Sequence, residues 1–195
     1  VSRILLPAVV PTSTDMTNDL PSVRDMPSRL GKAMLVAAWV VGLALLVLLF
    51  QNYLDRQHNP NPDPTMRVDA AGLPVVVLQR NRMGHYVTSG SINGEPVTFL
   101  LDTGATAVAL PLTLARELGL SLLPGGMSKT ANGLVSTWQT RLDSVDVAGL
   151  TARGVRAVVL PNMPGEEVLL GMNYLKRFEL IQRGNTLTLR AQDRF

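Results

Sequence analysis

Hydrophobic positions follow three different rhythms along the chain. From Ala33 to Phe50 the sequence AMLVAAWVVGLALLVLLF gives 18 consecutive apolar or small residues without a charge, and Gln51-Asn52-Tyr53-Leu54 extends it uncharged. At the rise of an α-helix this run spans roughly 27 Å, close to the hydrocarbon thickness of a bilayer. The pattern predicts a single transmembrane helix over residues 33–54. A cleaved signal peptide and a fully buried helix of a soluble core are the competing readings. The run is long for a signal peptide, and no clear cleavage site follows at Gln51–His58. The remaining chain is too small to enclose such a helix.

On either side of this run the periodicity disappears. Residues 1–32 are polar, rich in proline and threonine, and are expected to form a disordered tail. The chain opens on Val1, and Met16 and Met26 are both expected translation starts. After the apolar run, His58-Asn59-Pro60-Asn61-Pro62-Asp63-Pro64-Thr65 alternates proline with polar residues. Proline favours extended backbone, so residues 55–72 are expected to be a semi-rigid linker.

From Leu73 the third rhythm is short and extended. Pro74–Leu78 and His85–Ile92 are predicted strands, and Asn93-Gly94 turns the second into Glu95–Leu101. Asn-Gly between β-prone runs is a strong hairpin signal, because both residues tolerate φ > 0. Leu110–Gly119 is predicted as a short helix with Pro111 near its start, Gly119 past its end, and Leu114 and Leu118 facing the core. Asn132-Gly133 marks another hairpin. Its flanks are small and polar, so it is expected to pack poorly and stay mobile, although an ordinary surface hairpin has the same local pattern. Thr137–Val147 and Gly154–Leu160 are expected to pair across a turn near Ala148-Gly149. Met172–Phe178 has helical spacing, with Met172, Leu175 and Phe178 on one side, and a hairpin around Gly184-Asn185 closes the chain. Residues 73–195 are therefore predicted to be mainly β, a small barrel or sandwich with two short helices.

Composition narrows the chemistry. There is no cysteine, which excludes disulfides and thiolate nucleophiles, and the two histidines, His58 and His85, are far apart. No cluster has metal-ligand spacing, so neither a metal nor another cofactor is expected. The net charge of +3 is spread over basic residues interleaved with acids, and aromatics make up only 5% of the chain. A nucleic-acid surface needs a basic stripe, often with stacking aromatics, so no nucleic-acid partner is expected. Arg24, Arg29 and Lys32 precede the apolar run and only Arg56 follows it closely. The positive-inside rule then places the N-terminus in the cytoplasm and the C-terminal domain across the membrane.

One stretch remains unexplained by packing. Phe99-Leu100-Leu101 ends in Asp102, followed by Thr103-Gly104-Ala105-Thr106. An unpaired carboxylate at the end of an apolar strand is costly unless it is paired, hydrogen-bonded or used.

Leu100–Ala105, the later Leu169-Leu170-Gly171, the short helix after it and a glycine-containing hairpin midway resemble the retropepsin-like aspartic proteases of clan AA, in particular their bacterial membrane-anchored branch. The resemblance covers about Leu73 to Arg190. It implies a small closed acid-protease barrel, mainly β, with one or two short helices after the transmembrane helix. It implies that Asp102 is the catalytic carboxylate, that Thr103 hydrogen-bonds the partner's loop across a dimer axis, and that Gly104 and Ala105 complete the active-site loop. Thr130, Ala131, Asn132 and Gly133 become the tip of a flap over substrate. Leu169, Leu170 and Gly171 support the loop from behind. The implied protein is a homodimer through its active site, anchored in a bacterial inner membrane by one helix, with a periplasmic protease domain acting on a peptide or protein substrate. Thr106 stands where retroviral members often carry an acid, so their substrate preference does not transfer.

The acid–base requirement agrees with this. Without a metal or a nucleophilic side chain, peptide hydrolysis needs a general base for water and a general acid for the departing groups. Two carboxylates sharing one proton supply both. The chain has one Asp-Thr-Gly, since Asp143-Ser144-Val145 lacks the glycine, and a pair therefore requires a second copy. Ala105 cannot donate a hydroxyl to the carboxylate, so activity is expected in a mildly acidic to near-neutral window. A catalytically silent binding or assembly module of the same fold, and an unrelated tethered barrel with a chance motif, are the alternatives.

Overall fold

An apolar run with no polar face folds here as one continuous helix, α1, over Met26–His58. The computed structural model describes residues 26–130 and 133–192, and divides into two units, one ending at Leu48 and the other beginning at Leu49. The helix starts before the apolar run, so residues from Met26 onward, read as tail, are helical. Leu30–His58 is long and apolar enough to cross a membrane, and none of its most apolar window is buried.

Among the described residues, the second unit holds the end of α1, eleven strands and two short helices. In order these are β1 (Met66–Val68), β2 (Pro74–Gln79), β3 (Val87–Ile92), β4 (Glu95–Leu101), β5 (Val108–Pro111), α2 (Leu112–Glu117), β6 (Leu123–Thr130), β7 (Gly133–Val147), β8 (Leu150–Leu160), β9 (Val168–Leu170), α3 (Met172–Leu175), β10 (Phe178–Arg183) and β11 (Thr186–Ala191). One sheet has the order β1-β2-β11-β10, the other β3-β4-β9-β5-β8-β7-β6. Strand β3 also pairs with β7, which closes the larger sheet into a barrel. The expected closed, mainly β barrel is therefore observed.

Turn chemistry explains the hairpins. Asn93 and Gly94 have φ of 53° and 90°, and Ala148 and Gly149 of 50° and 91°. Both pairs fit the twist of a two-residue hairpin. Alanine resists this conformation, and the Asp146 carboxylate accepting from the Gly149 N–H at 3.0 Å helps hold the second turn. One apolar cluster fills the barrel, built on Val76, Ile92, Phe99, Leu110, Leu142 and Leu170.

Several boundaries differ from the sequence pattern. Val108–Pro111, partly read as the start of a helix, is a strand buried at all four positions and parallel to β8. A strand covered on both faces has no alternation to betray it, and the residue before proline is driven to extended backbone. Helix α2 begins only at Leu112, and buries Ala115 fully while Leu114 and Leu118 are half-buried. Strand β8 starts at Leu150, so Gly154 lies inside it. Helix α3 ends at Leu175, and Phe178 opens β10 with its ring 5.1 Å from that of Tyr174.

The segment read as a linker is built into the second unit. Helix α1 continues to His58, whose ring pairs with Glu167. The His58 carbonyl accepts from the Asn81 amide at 3.0 Å. Asn61 is 7% exposed. Its amide donates to the carbonyls of Gln79 (2.9 Å) and Val87 (2.7 Å), and its side-chain oxygen accepts from the Gln79 N–H at 2.7 Å. Its own carbonyl accepts from the Ser89 N–H at 3.0 Å. One buried asparagine thus joins β2 of one sheet to β3 of the other. Farther on, Asp69 accepts from the N–H groups of Leu73 and Ala71 and lies 2.8 Å from Arg190 Nε. The Leu73 bond above all holds its carboxyl below the ordinary carboxylate range.

Removing the Asn61 amide leaves a donor and two acceptors of the barrel without partners. Asn61→Ala is expected to cost about 1–3 kcal/mol. Urea unfolding of the full chain in neutral micelles, followed by Trp138 emission in a Trp39→Phe background, measures it.

Candidate active site

A three-residue parallel pairing delivers Asp102. Phe99, Leu100 and Leu101 of β4 lie beside Val168, Leu169 and Leu170 of β9. The ladder runs on by one bond, from the Asp102 N–H to the Leu170 carbonyl at 3.3 Å. Phe99, Val168 and Leu170 are buried, so the pairing is anchored in the core. Asp102 is the first residue past the strand and is half-buried.

The loop after it is tightly turned. The Gly104 N–H donates to Asp102 Oδ1 at 2.8 Å, and the Ala105 N–H to the Asp102 carbonyl at 3.2 Å. A Cβ at Gly104 would sit 3.1 Å from Asp102 Oδ1, so glycine leaves the carboxylate room. Among the described residues Asp102 Oδ2 has no hydrogen-bond partner. The Thr103 side chain is exposed and equally without a partner among them.

Gly171 and the start of α3 hold this loop from behind. The Met172 N–H donates to the Ala105 carbonyl at 2.8 Å, and the Asn173 N–H to the Thr106 carbonyl at 3.1 Å. Asn173 Oδ1 accepts from the Val108 N–H at 3.0 Å, while its amide nitrogen donates to the Arg156 carbonyl at 2.6 Å. A Cβ on Gly171 would lie 2.3 Å from the Ala107 carbonyl oxygen and 2.8 Å from that of Ala105. Only glycine permits this approach of backbone to backbone. Next to it, fully buried Tyr174 donates its hydroxyl to the Leu150 carbonyl at 2.6 Å, and burial pushes the phenol well above its ordinary range.

The structure thus brings Asp102, Thr103, Gly104 and Ala105 together with Leu169, Leu170 and Gly171. The hairpin residues lie on β6 and β7 of the same closed sheet, and β7 pairs with β3, the neighbour of β4. Thr130 pairs with Gly133, and Ala131 and Asn132 between them lie outside the described residues. Leu123, Met127 and Leu134 on this ribbon are 60–69% exposed. Asn173 and Tyr174 escaped the sequence pattern. Their signal was a polar and an aromatic residue directly after Leu-Leu-Gly-Met, in a helix too short to show a period.

Residues 88–177 match the family described as "gag-polyprotein putative aspartyl protease". The chain is 32% identical over 132 residues to an uncharacterized protein in the cobV 5′ region of a Sinorhizobium species, which covers 65% of this chain and 56% of that one. It is 32% identical over 108 residues to an uncharacterized protein of Rickettsia prowazekii (strain Madrid E), covering 53% of this chain and 46% of the other. The chain thus spans about half the length of these curated relatives. The crystal structure of a retropepsin-like aspartic protease from Rickettsia conorii superposes with a TM-score of 0.54 at 27% identity, over 66% of this chain and 96% of that one.

Gly171→Ala forces a methyl group into two backbone carbonyls that nothing flexible can relieve. It is expected to destabilise the chain by about 3 kcal/mol, the upper end of overpacking costs. The same urea titration reads it, with Gly126→Ala, where a Cβ meets nothing within 4 Å, as the control.

Proposed function

Starting from a chain that is a retropepsin-like member of clan AA, we propose that it is an aspartic endopeptidase whose dyad is Asp102 and the same residue of a second copy. The observation that carries this reading is the state of the carboxylate. One oxygen is held by the Gly104 N–H and the other is unpartnered, in a loop pinned to α3 by backbone and Asn173 bonds. Buried carboxylates as a rule hydrogen-bond both oxygens, and Asp102 is half-buried. This one leaves an oxygen for water and for a neighbouring carboxylate. The free Thr103 hydroxyl supports the same reading, as a donor available to the partner's loop.

In the reaction, the ionised carboxylate takes a proton from water as the oxygen attacks the peptide carbonyl. The protonated carboxyl gives its proton to the carbonyl oxygen, leaving a tetrahedral diol. The first carboxyl then protonates the amine nitrogen, the C–N bond breaks, and the other carboxylate recovers the diol proton. No cofactor enters. The ribbon of β6 and β7, with Leu123, Met127 and Leu134 exposed, is the candidate flap over an apolar segment of substrate. Helix α1 serves as a single-pass anchor with the catalytic domain on the periplasmic side. Confinement to a plane raises the concentration at which two copies meet.

Cleavage of a quenched peptide pool by the full chain in neutral micelles tests this. Asp102→Asn is expected to lower the rate by about 10²–10⁴-fold, the usual worth of a positioned acid–base group. Mixing equal amounts of wild-type and Asp102→Asn chains under subunit exchange should give about one quarter of the activity of the same total amount of wild type, because only that share of two-fold dimers keeps both carboxylates. Equal rates for both proteins, with dimers present, would show a silent module.

The alanine at 105 also predicts a rate maximum between mildly acidic and neutral pH. A kcat profile confined below about pH 4 contradicts it.

A further inference from the structure

Four cations gather where β7, β8 and α3 meet. A cavity of about 320 Å³ opens there, lined by Arg141 of β7, Gly154 and Arg156 of β8, and Asn173, Lys176 and Arg177 at α3 and the turn after it. No carboxylate lines it. The ion pairs of the described residues are His58–Glu167 and those of Arg190 with Asp69 and Glu179, so none of these four cations is paired.

The arrangement costs stability in isolation. Arg141 and Arg156 are direct partners across the β7–β8 ladder and share a face of the sheet. Like charges placed opposite each other in this way destabilise an antiparallel pair. Gly154 sits in the middle of β8 with φ +64°, and the Arg141 guanidinium lies against its bare backbone, where a Cβ would come within 2.5 Å of it. Arg177 Nε donates to the Asn173 carbonyl at 3.3 Å, and the Asn173 amide donates to the Arg156 carbonyl at 2.6 Å. Three guanidinium groups and an ammonium therefore surround a concave space, two of the arginines steered by specific contacts.

We propose that this cavity binds a multiply charged oxyanion of the phosphate class, free or as the headgroup of a phosphate-bearing molecule. Planar guanidinium forks match phosphate oxygens two at a time, and lysine adds a point charge. An anion between Arg141 and Arg156 turns their repulsion into shared attraction. Asn173 also holds Thr106 and Val108. The cavity and the Asp102 loop therefore share one residue, whose backbone N–H holds Thr106 and whose side chain holds Val108.

Calorimetric titration of the full chain in neutral maltoside micelles tests the proposal. The probes are inorganic pyrophosphate and glycerol 3-phosphate, the soluble phosphomonoester headgroup of phosphatidic acid. Saturable binding of one ion per chain is expected, weakened at least about tenfold by the pair Arg141→Gln and Arg156→Gln. The pair Arg82→Gln and Arg183→Gln removes the same charge outside the cavity and should change affinity by less than about twofold. The cavity pair should also keep or raise the melting temperature without ligand, and abolish the rise that pyrophosphate gives the wild type. Tighter binding of the headgroup identifies a lipid source, and tighter binding of pyrophosphate a soluble one. Absence of saturable binding by both probes, or equal weakening by the control pair, overturns the proposal.

Discussion

The close approach of Gly171 to the carbonyls of Ala105 and Ala107 is the contact on which the candidate site rests. It lets the first turn of α3 hydrogen-bond the loop after Asp102, and it continues the ladder between β4 and β9. These two strands are far apart in sequence and pair over only three residues. Such a pairing closes a long loop for few bonds, and it persists because Phe99, Val168 and Leu170 are buried beneath it. Catalytic carboxylates need fixed geometry more than they need a deep pocket. Here rigidity comes from backbone bonds and from one asparagine, which together leave the carboxylate half-open.

How far the sequence revealed this varies with the kind of signal. Asn93-Gly94 forecast its hairpin because the turn demands φ > 0 at both residues and few residue types supply it. Asp102-Thr103-Gly104 stood out because an acid closing an apolar strand conflicts with packing. Val108–Pro111 misled, since a strand buried on both faces has no alternation and its proline looks like a helix start. Gly154 was taken for the beginning of a strand, and lies inside one at φ +64°, a kink within the β7–β8 ladder that no local pattern announces. Asn61, Asn173 and Tyr174 were missed on the same grounds. Each is a polar group whose worth lies in distant backbone partners, and a lone asparagine or tyrosine has no period.

The similarity to retropepsin-like proteins and the local geometry support each other without overlapping. The comparisons speak to the fold and the family. On the proposed reading, the Asp102 oxygen and the Thr103 hydroxyl that have no partner among the described residues belong to a half-site. Under the proposed dyad, a chain with one such loop finds its symmetry partner in a second copy, and the local concentration of that copy becomes the controlling variable. An apolar helix of bilayer length is a direct way of raising it.

The asparagine at 61 has a consequence for what counts as the domain. Because its side chain sits among backbone groups of β2 and β3, the residues before the first strand belong to the barrel as much as the strand does. A polypeptide cut among the prolines after it would lose an internal prop together with its tether. Separating the barrel from the apolar helix at these prolines therefore also strips the barrel of part of its own internal bonding.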